Sequence, residues 1–456
     1  LEARTEGWAA GLQLAAISLQ DQEDTSKLIK SFSGSHRLVL DYLVEEVLNQ
    51  QPQRIQSFLL LTSVLQRLSG ALCDAVTDQE NGQATLEMLD RSNLFAVPLD
   101  EERRWYRYHH LFADLLRRRL SQLQPELIPT LHIRASEWYE QNAYIDEATE
   151  HTFAAEDYER TVRLLEEYAD VLWQRGEHNK FRRWLTVLPD DLICSRPYLC
   201  IYHAWYLFTS GRQDISERIL QAAEQTLDLG LDHAHKSNSH HPDQCSGYTD
   251  KKLLGRVAAV RAFMASFRGD VPAIIREARR ALNYLPEQDL IWRSSAAITL
   301  GDAHGFQGDM IATYQARLAA AQACQATGNI YFIVIANLKL AITLREQGRL
   351  QPTIEMCRQQ MQLANENGIS RTAAAGWCLS VWGEVLAEFG DLDHALNQTQ
   401  KGFALAEQGV DLAMQGWSYL CLVRVLFSRE EMAGAEEIIQ RILHIAREVD
   451  VPTWIT

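Results

Sequence analysis

The chain has 456 residues, of which 46% are apolar, and its 60 acidic and 44 basic side chains give a formal net charge of −16. This length exceeds one compact core of ordinary size, so several domains or a repeat array are expected. The negative charge disfavours sequence-independent binding to nucleic acid phosphates, and no apolar run approaches the roughly 20 residues that span a bilayer. We therefore expect a cytoplasmic protein with no direct contact to DNA or to a membrane.

The region from about residue 40 to 122 predicts three helices, a β-hairpin and a last helix. The three helices are predicted for QRIQSFLLLTSVLQRL (53–68), SGALCDAVT (69–77) and GQATLEMLDRSN (82–93). The runs LFAVPLD and WYRYHH are strand-like and flank the charged turn EER. From Leu111 onward the leucine spacing is that of a helix. This order is typical of a winged-helix domain, which we assign to residues 36–122.

Two adjacent histidines, His109 and His110, lie where the second predicted strand meets the last helix. Strand alternation places Trp105, Arg107 and His109 on one face. A helix start offers free N–H groups and the positive end of the helix dipole, which suit an anion such as a phosphate. The alternative is that one histidine packs in the core and the other is solvated.

Glycines recur through the second half of the chain at near-constant intervals. They stand at positions 211, 269, 308, 348 and 390. Seven residues before these glycines are Ala204, Ala262, Gly301, Ala341 and Gly383, and twelve residues after them are Ala223, Ala281, Ala320, Gln360 and Gly402. Small residues on both sides of a glycine turn let two antiparallel helices approach closely, as in tetratricopeptide (TPR) repeats.

Helix pairs also precede and follow these glycines. Further pairs with turns at Asp157 and Gly176 come before them, and EMAGAEEIIQRILHIAREV continues the pattern to the end. We therefore predict a mainly α chain with a TPR-like, right-handed α superhelix over residues 123–456, preceded by the winged-helix domain. Its concave surface would be lined by the first helix of each pair.

Positions 13, 10, 6 and 3 residues before each hinge glycine are expected to face the groove. The larger or charged side chains there are Tyr198, Trp205, Arg256, Phe263, Asp302, Arg345, Trp377 and Glu384. Aromatic faces beside carboxylates and arginines suit a sugar or another polar small molecule. The alternative for each aromatic residue is a place in the core between repeats. Our candidate ligand-binding residues are Trp205, Arg256, Asp302, Trp377 and Glu384.

The cysteines and histidines were also considered as metal ligands. The eight cysteines contain no CxxC pair, which indicates reduced and mostly buried thiols. A polar cluster holds His233, His235, His240, His241 and Cys245. Its Asn, Ser, Pro and Gly neighbours favour a solvated, mobile loop, and metal binding by this segment is the alternative.

Five ordered blocks in the first 150 residues carry a family resemblance. They are RTEGWAAGLQLAA, FSGSHRLVLDYLVEEVL, FLLLTSVLQRLSGALCDAV, RSNLFAVPLDEERRWYRYHHLFADLLRRRL and LHIRASEWYEQNAYIDEATEH. Together they resemble the middle of the large ATP-binding regulators of the LuxR family, the maltose-regulator-like activators. Such proteins resemble signal-transduction ATPases with a nucleotide-binding domain, a winged helix, a superhelical sensor and a DNA-binding helix-turn-helix. The start of this chain resembles the end of the nucleotide-binding module, so residues 1–35 are expected to be a remnant of it.

The resemblance also implies a nucleotide contact. His109 in RYHHLF matches a winged-helix histidine that contacts the phosphate of bound ADP, with His110 as the alternative if the register differs by one, and Arg107 adds charge. No GxxxxGK[ST] phosphate loop occurs and no helix-turn-helix follows VDVPTWIT. We therefore expect no cofactor and no ATP hydrolysis in this chain, and ATP or ADP in the intact protein.

The expected function is that of the switch and sensor of a transcriptional activator. A small-molecule inducer or a regulatory protein in the groove would release an ADP-locked state, and the activated intact protein is a candidate for self-association. The alternative is a TPR interaction scaffold that has no nucleotide or DNA role. An enzyme is disfavoured because the sequence offers no nucleophile, metal site or acid–base pair at an informative spacing.

Overall fold

The computed structural model describes residues 47–92, 94–175, 177–236, 244–409 and 411–448. The chain forms two compact units, Leu1–Glu167 and Tyr168–Thr456. The predicted mainly α fold is confirmed, because the regular elements of these ranges are helices and two short strands. None of the helices in the described ranges is both long enough and apolar enough to cross a bilayer. The segment 1–35, predicted to be a remnant of a nucleotide-binding module, lies outside the described residues.

The first unit contains a winged-helix arrangement followed by a helical hairpin. Its elements in chain order are α1 (Gln53–Thr62), α2 (Gly70–Thr77), α3 (Gly82–Arg91), β1 (Ala96–Pro98), β2 (Tyr106–Tyr108), α4 (His110–Leu123), a short 3-10 helix (Pro125–Leu127), α5 (Ile128–Gln141) and α6 (Ile145–Ala154). Helix α7 (Tyr158–Gln174) begins in this unit and continues into the second.

The β-hairpin is short and anchored to the helices by buried tyrosines. β1 and β2 pair antiparallel, with Val97 opposite Arg107. Tyr108 is buried, and its hydroxyl lies 2.7 Å from the hydroxyl of Thr62 on α1. The first helix ends at Thr62 and not at Leu68 as predicted, because Leu68 exchanges two backbone hydrogen bonds of 2.8 Å with Tyr106. Leu68 thereby adds an isolated bridge to the hairpin.

The second unit is an array of antiparallel helix pairs. After α7 come α8 (His178–Val187) and α9 (Asp190–Cys194). The first helices of the six following pairs are α10 (Pro197–Thr209), α12 (Gln244–Arg268), α14 (Leu290–Phe306), α16 (Ile330–Glu346), α18 (Ala373–Glu388) and α20 (Leu412–Ser428). The second helices are α11 (Gln213–Lys236), α13 (Val271–Tyr284), α15 (Met310–Gln325), α17 (Leu350–Glu366), α19 (Leu392–Gln408) and α21 (Met432–Glu448).

Every hinge glycine predicted from the spacing lies between the two helices of a pair. Their φ angles are 85° at Gly211, 66° at Gly269, 77° at Gly308, 73° at Gly348 and 79° at Gly390. Side chains disfavour this left-handed region, so glycine is the residue that ends the first helix without strain. The sixth pair uses Glu430 at this position, with a φ of 62°.

The small residues at the predicted offsets lie in the contact between paired helices. Ala204 is buried, and its carbonyl accepts a hydrogen bond of 2.7 Å from the Ser216 hydroxyl on the partner helix. Ala341 accepts in the same way from Thr353 at 3.3 Å. In these two pairs a small residue on the first helix therefore faces a short hydroxyl side chain on the second.

The polar segment 233–245 is partly helical. Helix α11 continues to Lys236 and α12 begins at Gln244, so the backbone of His233, His235 and Cys245 belongs to helices, not to the predicted loop. The side chains of this segment lie outside the described residues, and metal binding there is untested. The seven cysteines among the described side chains are free thiols, and all but Cys194 are buried.

Candidate functional site

A cavity of about 280 Å³ lies within the second unit, on the side formed by the first helices. All six first helices contribute to its wall, together with the end of α7 and the start of α8. Its aromatic lining consists of Trp173, Trp205, Tyr206, Phe263, Phe267, Tyr331, Phe332, Trp377 and Trp417. The first helices therefore line one surface, as the repeat pattern predicted, and that surface encloses a mostly aromatic space.

The cavity crosses the first helices obliquely. On α10 it contacts Trp205 and Thr209, six and two residues before the hinge glycine. On α18 it contacts Ala373 and Trp377, seventeen and thirteen residues before the hinge glycine. The contacting positions thus shift from the hinge end of the early helices to the opposite end of the late ones. The fixed positions 13, 10, 6 and 3 residues before each hinge glycine therefore predict only part of this wall.

Three of the five candidate ligand-binding residues, Trp205, Asp302 and Trp377, line this cavity. Phe263, which was also predicted to face the groove, lines it too, and its ring stacks on Trp205 with the centroids 4.1 Å apart. Trp377 stacks with Trp417 at 6.3 Å. The structure thus brings these residues together, and their role in ligand binding stays a prediction.

The carboxylate of Asp302 is already occupied by two cations. Arg317 donates to it at 2.9 Å, and the Lys339 ammonium donates at 3.1 Å. Lys339 also lies 5.5 Å from the centre of the Trp377 ring. Burial lowers the pKa of Lys339, and Asp302 opposes this shift. The Asp302 carboxylate is therefore part of an ion-pair cluster in the wall.

Arg256 lies outside the cavity wall, in a cluster of its own. Its side chain is 2% exposed and donates to Asp170 and Asp289, each at 3.0 Å. The same guanidinium lies 5.4 Å from the ring centres of Tyr198 and Trp292. The predicted groove residues Arg256 and Tyr198 thus hold α7, α10, α12 and the start of α14 together. Arg256 stands 13 residues before the hinge glycine of α12. It lies outside the cavity because the cavity contacts α12 nearer to its hinge end.

Glu384 also lies outside the cavity wall. Its carboxylate accepts from Arg345 and, at 2.6 Å, from Arg424, while the Cys421 thiol donates to it at 3.2 Å. These contacts link α16, α18 and α20. Glu384 and Arg345, both predicted to face the groove, are therefore engaged with neighbouring first helices.

Trp173 and His178, at the end of α7 and the start of α8, were not predicted and line the cavity. The Trp173 ring lies 5.3 Å from Trp205, and the His178 ring lies 4.5 Å from Tyr331. Neither Trp173 Nε1 nor His178 Nε2 has a hydrogen-bond partner among the described residues. Burial lowers the pKa of His178 to about 4, so its imidazole is neutral. Both residues precede the first hinge glycine, and the offset rule therefore missed them.

His109 occupies the predicted junction in the first unit, directly before α4. Its backbone N–H donates to Phe95 O at 2.8 Å, which ends the strand pairing. The His109 ring is 6% exposed, lies edge-on to Phe95 at 5.8 Å and stacks on His110 at 4.8 Å. Arg107 donates to the Tyr108 carbonyl at 3.4 Å. Two imidazoles and a guanidinium at the start of a helix are groups that can bind a phosphate. The phosphate contact itself stays a prediction.

Two family models match the chain in the order that the sequence indicated. A model described as "MalT winged helix domain" matches residues 44–128, and one described as "MalT-like TPR region" matches residues 255–456. These matches and the helix pairs confirm the predicted fold, a winged helix followed by a TPR-like superhelix. The limits placed at residues 35/36 and 122/123 stay predictions.

Curated relatives of the chain are also described as MalT. The chain is 28% identical over 401 residues to the HTH-type transcriptional regulator MalT of Yersinia pestis (strain Pestoides F), covering 87% of this chain and 42% of the relative. It is 27% identical over 405 residues to that of Serratia proteamaculans (strain 568), covering 88% and 43%. The chain thus spans less than half the length of these relatives. The predicted resemblance to the maltose-regulator-like activators is confirmed.

Two solved structures are also similar. One is a signal transduction ATPase with numerous domains with a tetratricopeptide repeat sensor from Pyrococcus horikoshii, at 11% identity and a TM-score of 0.48, covering 97% of this chain and 67% of that one. The other is a Rap protein complexed with competence and sporulation factor, at 14% identity and a TM-score of 0.37, covering 68% and 93%.

Proposed function

We propose that this MalT-like chain, in which a winged helix domain precedes a TPR region, is the switch and sensor part of a transcriptional activator. Its second unit binds the effector, and its winged helix belongs to the nucleotide-dependent switch of the longer protein. The effector is a small molecule or a segment of a regulatory protein. DNA binding and ATP binding belong to the longer protein.

The observation that supports effector binding is the oblique aromatic cavity. Its wall collects side chains from all six first helices and from α7 and α8, so one bound molecule would contact the whole array. A small-molecule site is commonly a concave, mostly apolar space with a few polar groups, and this cavity has that character. Binding there would therefore favour one arrangement of the helix pairs over another.

The proposal for the winged helix is a phosphate contact by His109. When ADP is bound in the longer protein, it supplies the negative charge that such a contact requires. His109 and His110 stand at the start of a 14-residue helix, and Arg107 adds a positive charge two residues earlier. An imidazole or guanidinium at this place would hold the phosphate by a charge-assisted hydrogen bond. Loss of this contact would release the resting state.

The effector site is tested by a thermal-shift screen of the chain against a defined library of sugars, nucleosides, amino acids, organic acids and short peptides. Compounds that raise the melting temperature are then titrated by calorimetry, because a ligand of the folded state stabilises it. Trp377→Ala removes a cavity wall and should weaken binding of each such compound by about 1 to 3 kcal/mol. Trp382→Ala, on the same helix outside the cavity, is the matched control. Equal binding by wild type and Trp377→Ala would place the effector site elsewhere.

A further inference from the structure

The carboxylates and the arginines that line the cavity differ in whether they have partners within the protein. Three carboxylates line the cavity, and each already has a partner. Glu177 accepts from Lys180, Asp302 accepts from Arg317 and Lys339, and Asp411 accepts from the Met414 N–H at 3.1 Å. Each carboxylate of the cavity therefore already accepts at least one hydrogen bond or ion pair from the protein.

Two arginines of the cavity wall, unlike the carboxylates, lack such partners in the described part of the chain. Arg182 on α8 and Arg371, just before α18, both line the cavity. Among the described residues, neither guanidinium forms an ion pair or a hydrogen bond. Arg182 is half-buried and Arg371 is exposed, so the first lies deeper in the wall than the second. A guanidinium is a fork of N–H donors that matches a carboxylate or a phosphate.

One neutral polar group of the wall also lacks an acceptor within the described ranges. The Trp173 side chain is 2% exposed, and its Nε1–H has no acceptor among the described residues. Tyr206 and Tyr331 line the same space, but the Tyr206 hydroxyl lies 3.3 Å from His178 Nδ1 and the Tyr331 hydroxyl donates to Met414 Sδ at 4.0 Å. The Trp173 Nε1–H and the two arginines are therefore donors of this wall that require an acceptor or a negative charge from a ligand.

We propose, on the basis of the sensor function proposed above, that the ligand is an organic anion. Its ring or chain packs among the aromatic side chains, and its carboxylate or phosphate is bound by Arg182 and Arg371. A sugar was one of the polar small molecules expected from the sequence, and the Asp302 carboxylate that would accept from its hydroxyls is already bound by two cations. The two arginines are thus the residues that decide the class of ligand.

The test uses three probes that share one ring system and differ in charge. They are 1-naphthoate, 1-naphthyl phosphate and the neutral 1-naphthamide, each titrated into the chain by calorimetry. At least one anion should bind about ten-fold more tightly than the amide, because a guanidinium pairs only with the acid group. Whichever anion binds more tightly identifies the acid group as carboxylate or phosphate.

Variants assign the effect to the two arginines. The double variant Arg182→Gln, Arg371→Gln should bind the anions no more tightly than the amide, while its amide affinity stays that of wild type. Arg183→Gln with Arg358→Gln, two arginines outside the cavity, is the control for net charge. Circular dichroism and thermal melting report whether each variant is folded.

The outcomes separate this proposal from the sensor function. If the amide binds as tightly as the anions, the cavity is a ligand site and its preference for an anion is wrong. If the double variant keeps the preference, the acid group is bound by other residues and the assignment is wrong. If none of the three probes binds, the anion preference is contradicted, and the thermal-shift screen with Trp377→Ala decides separately whether the cavity is an effector site.

Discussion

Gly376 and Gly402 face each other where α18 crosses α19. A Cβ atom placed on Gly376 would lie 2.7 Å from the carbonyl oxygen of Gly402 and 3.0 Å from the backbone nitrogen of Ala406. The two helices of this pair therefore touch backbone to backbone, at a separation that no side chain allows. This contact forms part of the framework that holds Trp377 in the cavity wall.

Substitution of a glycine in this contact should destabilise the second unit. A Cβ on Gly383 would lie 2.7 Å from the Ala395 carbonyl and 3.0 Å from the Thr399 nitrogen, and backbone atoms cannot move aside singly. Gly376→Ala and Gly383→Ala should each lower the free energy of unfolding by about 1 to 3 kcal/mol. Gly301→Ala should also destabilise the unit, because its Cβ would lie 2.7 Å from Cγ of the buried Arg317, whose guanidinium is bound to Asp302. The measurement is urea denaturation.

The control for these variants is Gly434→Ala in α21. A Cβ there would meet only Leu426 methyl carbons, at 3.7 Å or more. Alanine should be neutral or stabilise the helix by up to about 1 kcal/mol because of its higher helix propensity. A Gly383→Ala variant as stable as wild type would show that α18 and α19 do not pack as described.

Arg256 provides a second stability prediction. Arg256→Lys keeps the charge but loses the planar fork that joins Asp170 and Asp289, so the buried Asp289 carboxylate and the partly exposed Asp170 carboxylate are left with fewer donors. We expect a loss of about 3 kcal/mol, as for a broken buried ion pair. Arg358→Lys, in the exposed pair with Glu355, should change the free energy of unfolding by less than about 0.5 kcal/mol. Equal effects of the two substitutions would show that the Arg256 cluster is not buried in solution.

The sequence predicted the repeat framework well, because a left-handed hinge and a close helix contact each restrict residue type at one position. The glycines and the small residues at these positions can be recognised in the sequence without knowledge of their neighbours in space. The end of α1 at Thr62 was not predicted, because it depends on Leu68 pairing with Tyr106 far along the chain.

The candidate site was only partly predictable. Trp205, Asp302 and Trp377 were found because they are large or charged at groove offsets. Arg256 and Glu384 satisfied the same rule, yet their charges are neutralised by partners that sequence spacing does not reveal. Trp173 and His178 were missed because they come from helices outside the glycine register. The oblique course of the cavity follows from the packing of successive pairs and has no counterpart in a single repeat.

Two histidines of the first unit should make its stability dependent on pH. His132 and His151 lie with their Nδ1 atoms 2.8 Å apart. Burial lowers the pKa of both, and with the neighbouring His132 it brings the pKa of His151 from 6.5 to about 3. The unfolded chain thus binds more protons below pH 6.5. The free energy of unfolding should fall as the pH falls from about 6.5 towards 3, by up to about 1.4 kcal/mol per pH unit for each histidine.

This dependence is measured by denaturation of wild type and His151→Gln at several pH values. The variant should show a slope smaller by about one proton, since one of the histidines with a lowered pKa has been removed. His394→Gln, which changes an exposed histidine of the second unit, is the control for the substitution itself. A His151→Gln variant with the wild-type slope would mean that the His132–His151 pair is accessible to protons in the folded state.

The phosphate contact is tested in a protein that also contains the nucleotide-binding domain of the family. His109→Ala should weaken ADP retention by about 1.5 to 3 kcal/mol, as expected for a hydrogen bond to a charged group, and should raise transcription without inducer. ADP affinity and uninduced transcription are measured alongside His110→Ala. An effect of His110→Ala alone moves the contact to that residue, and no effect of either variant removes it.

The most direct test of the oblique cavity as the effector site is hydrogen–deuterium exchange of the chain with and without a compound found in the thermal-shift screen. We predict slower exchange at the hinge end of α10, around residues 205–209, together with slower exchange at the opposite end of α18, around residues 373–377. Both segments line one cavity although they are far apart in sequence. Protection confined to the second helices, or to residues 47–154, would contradict the account.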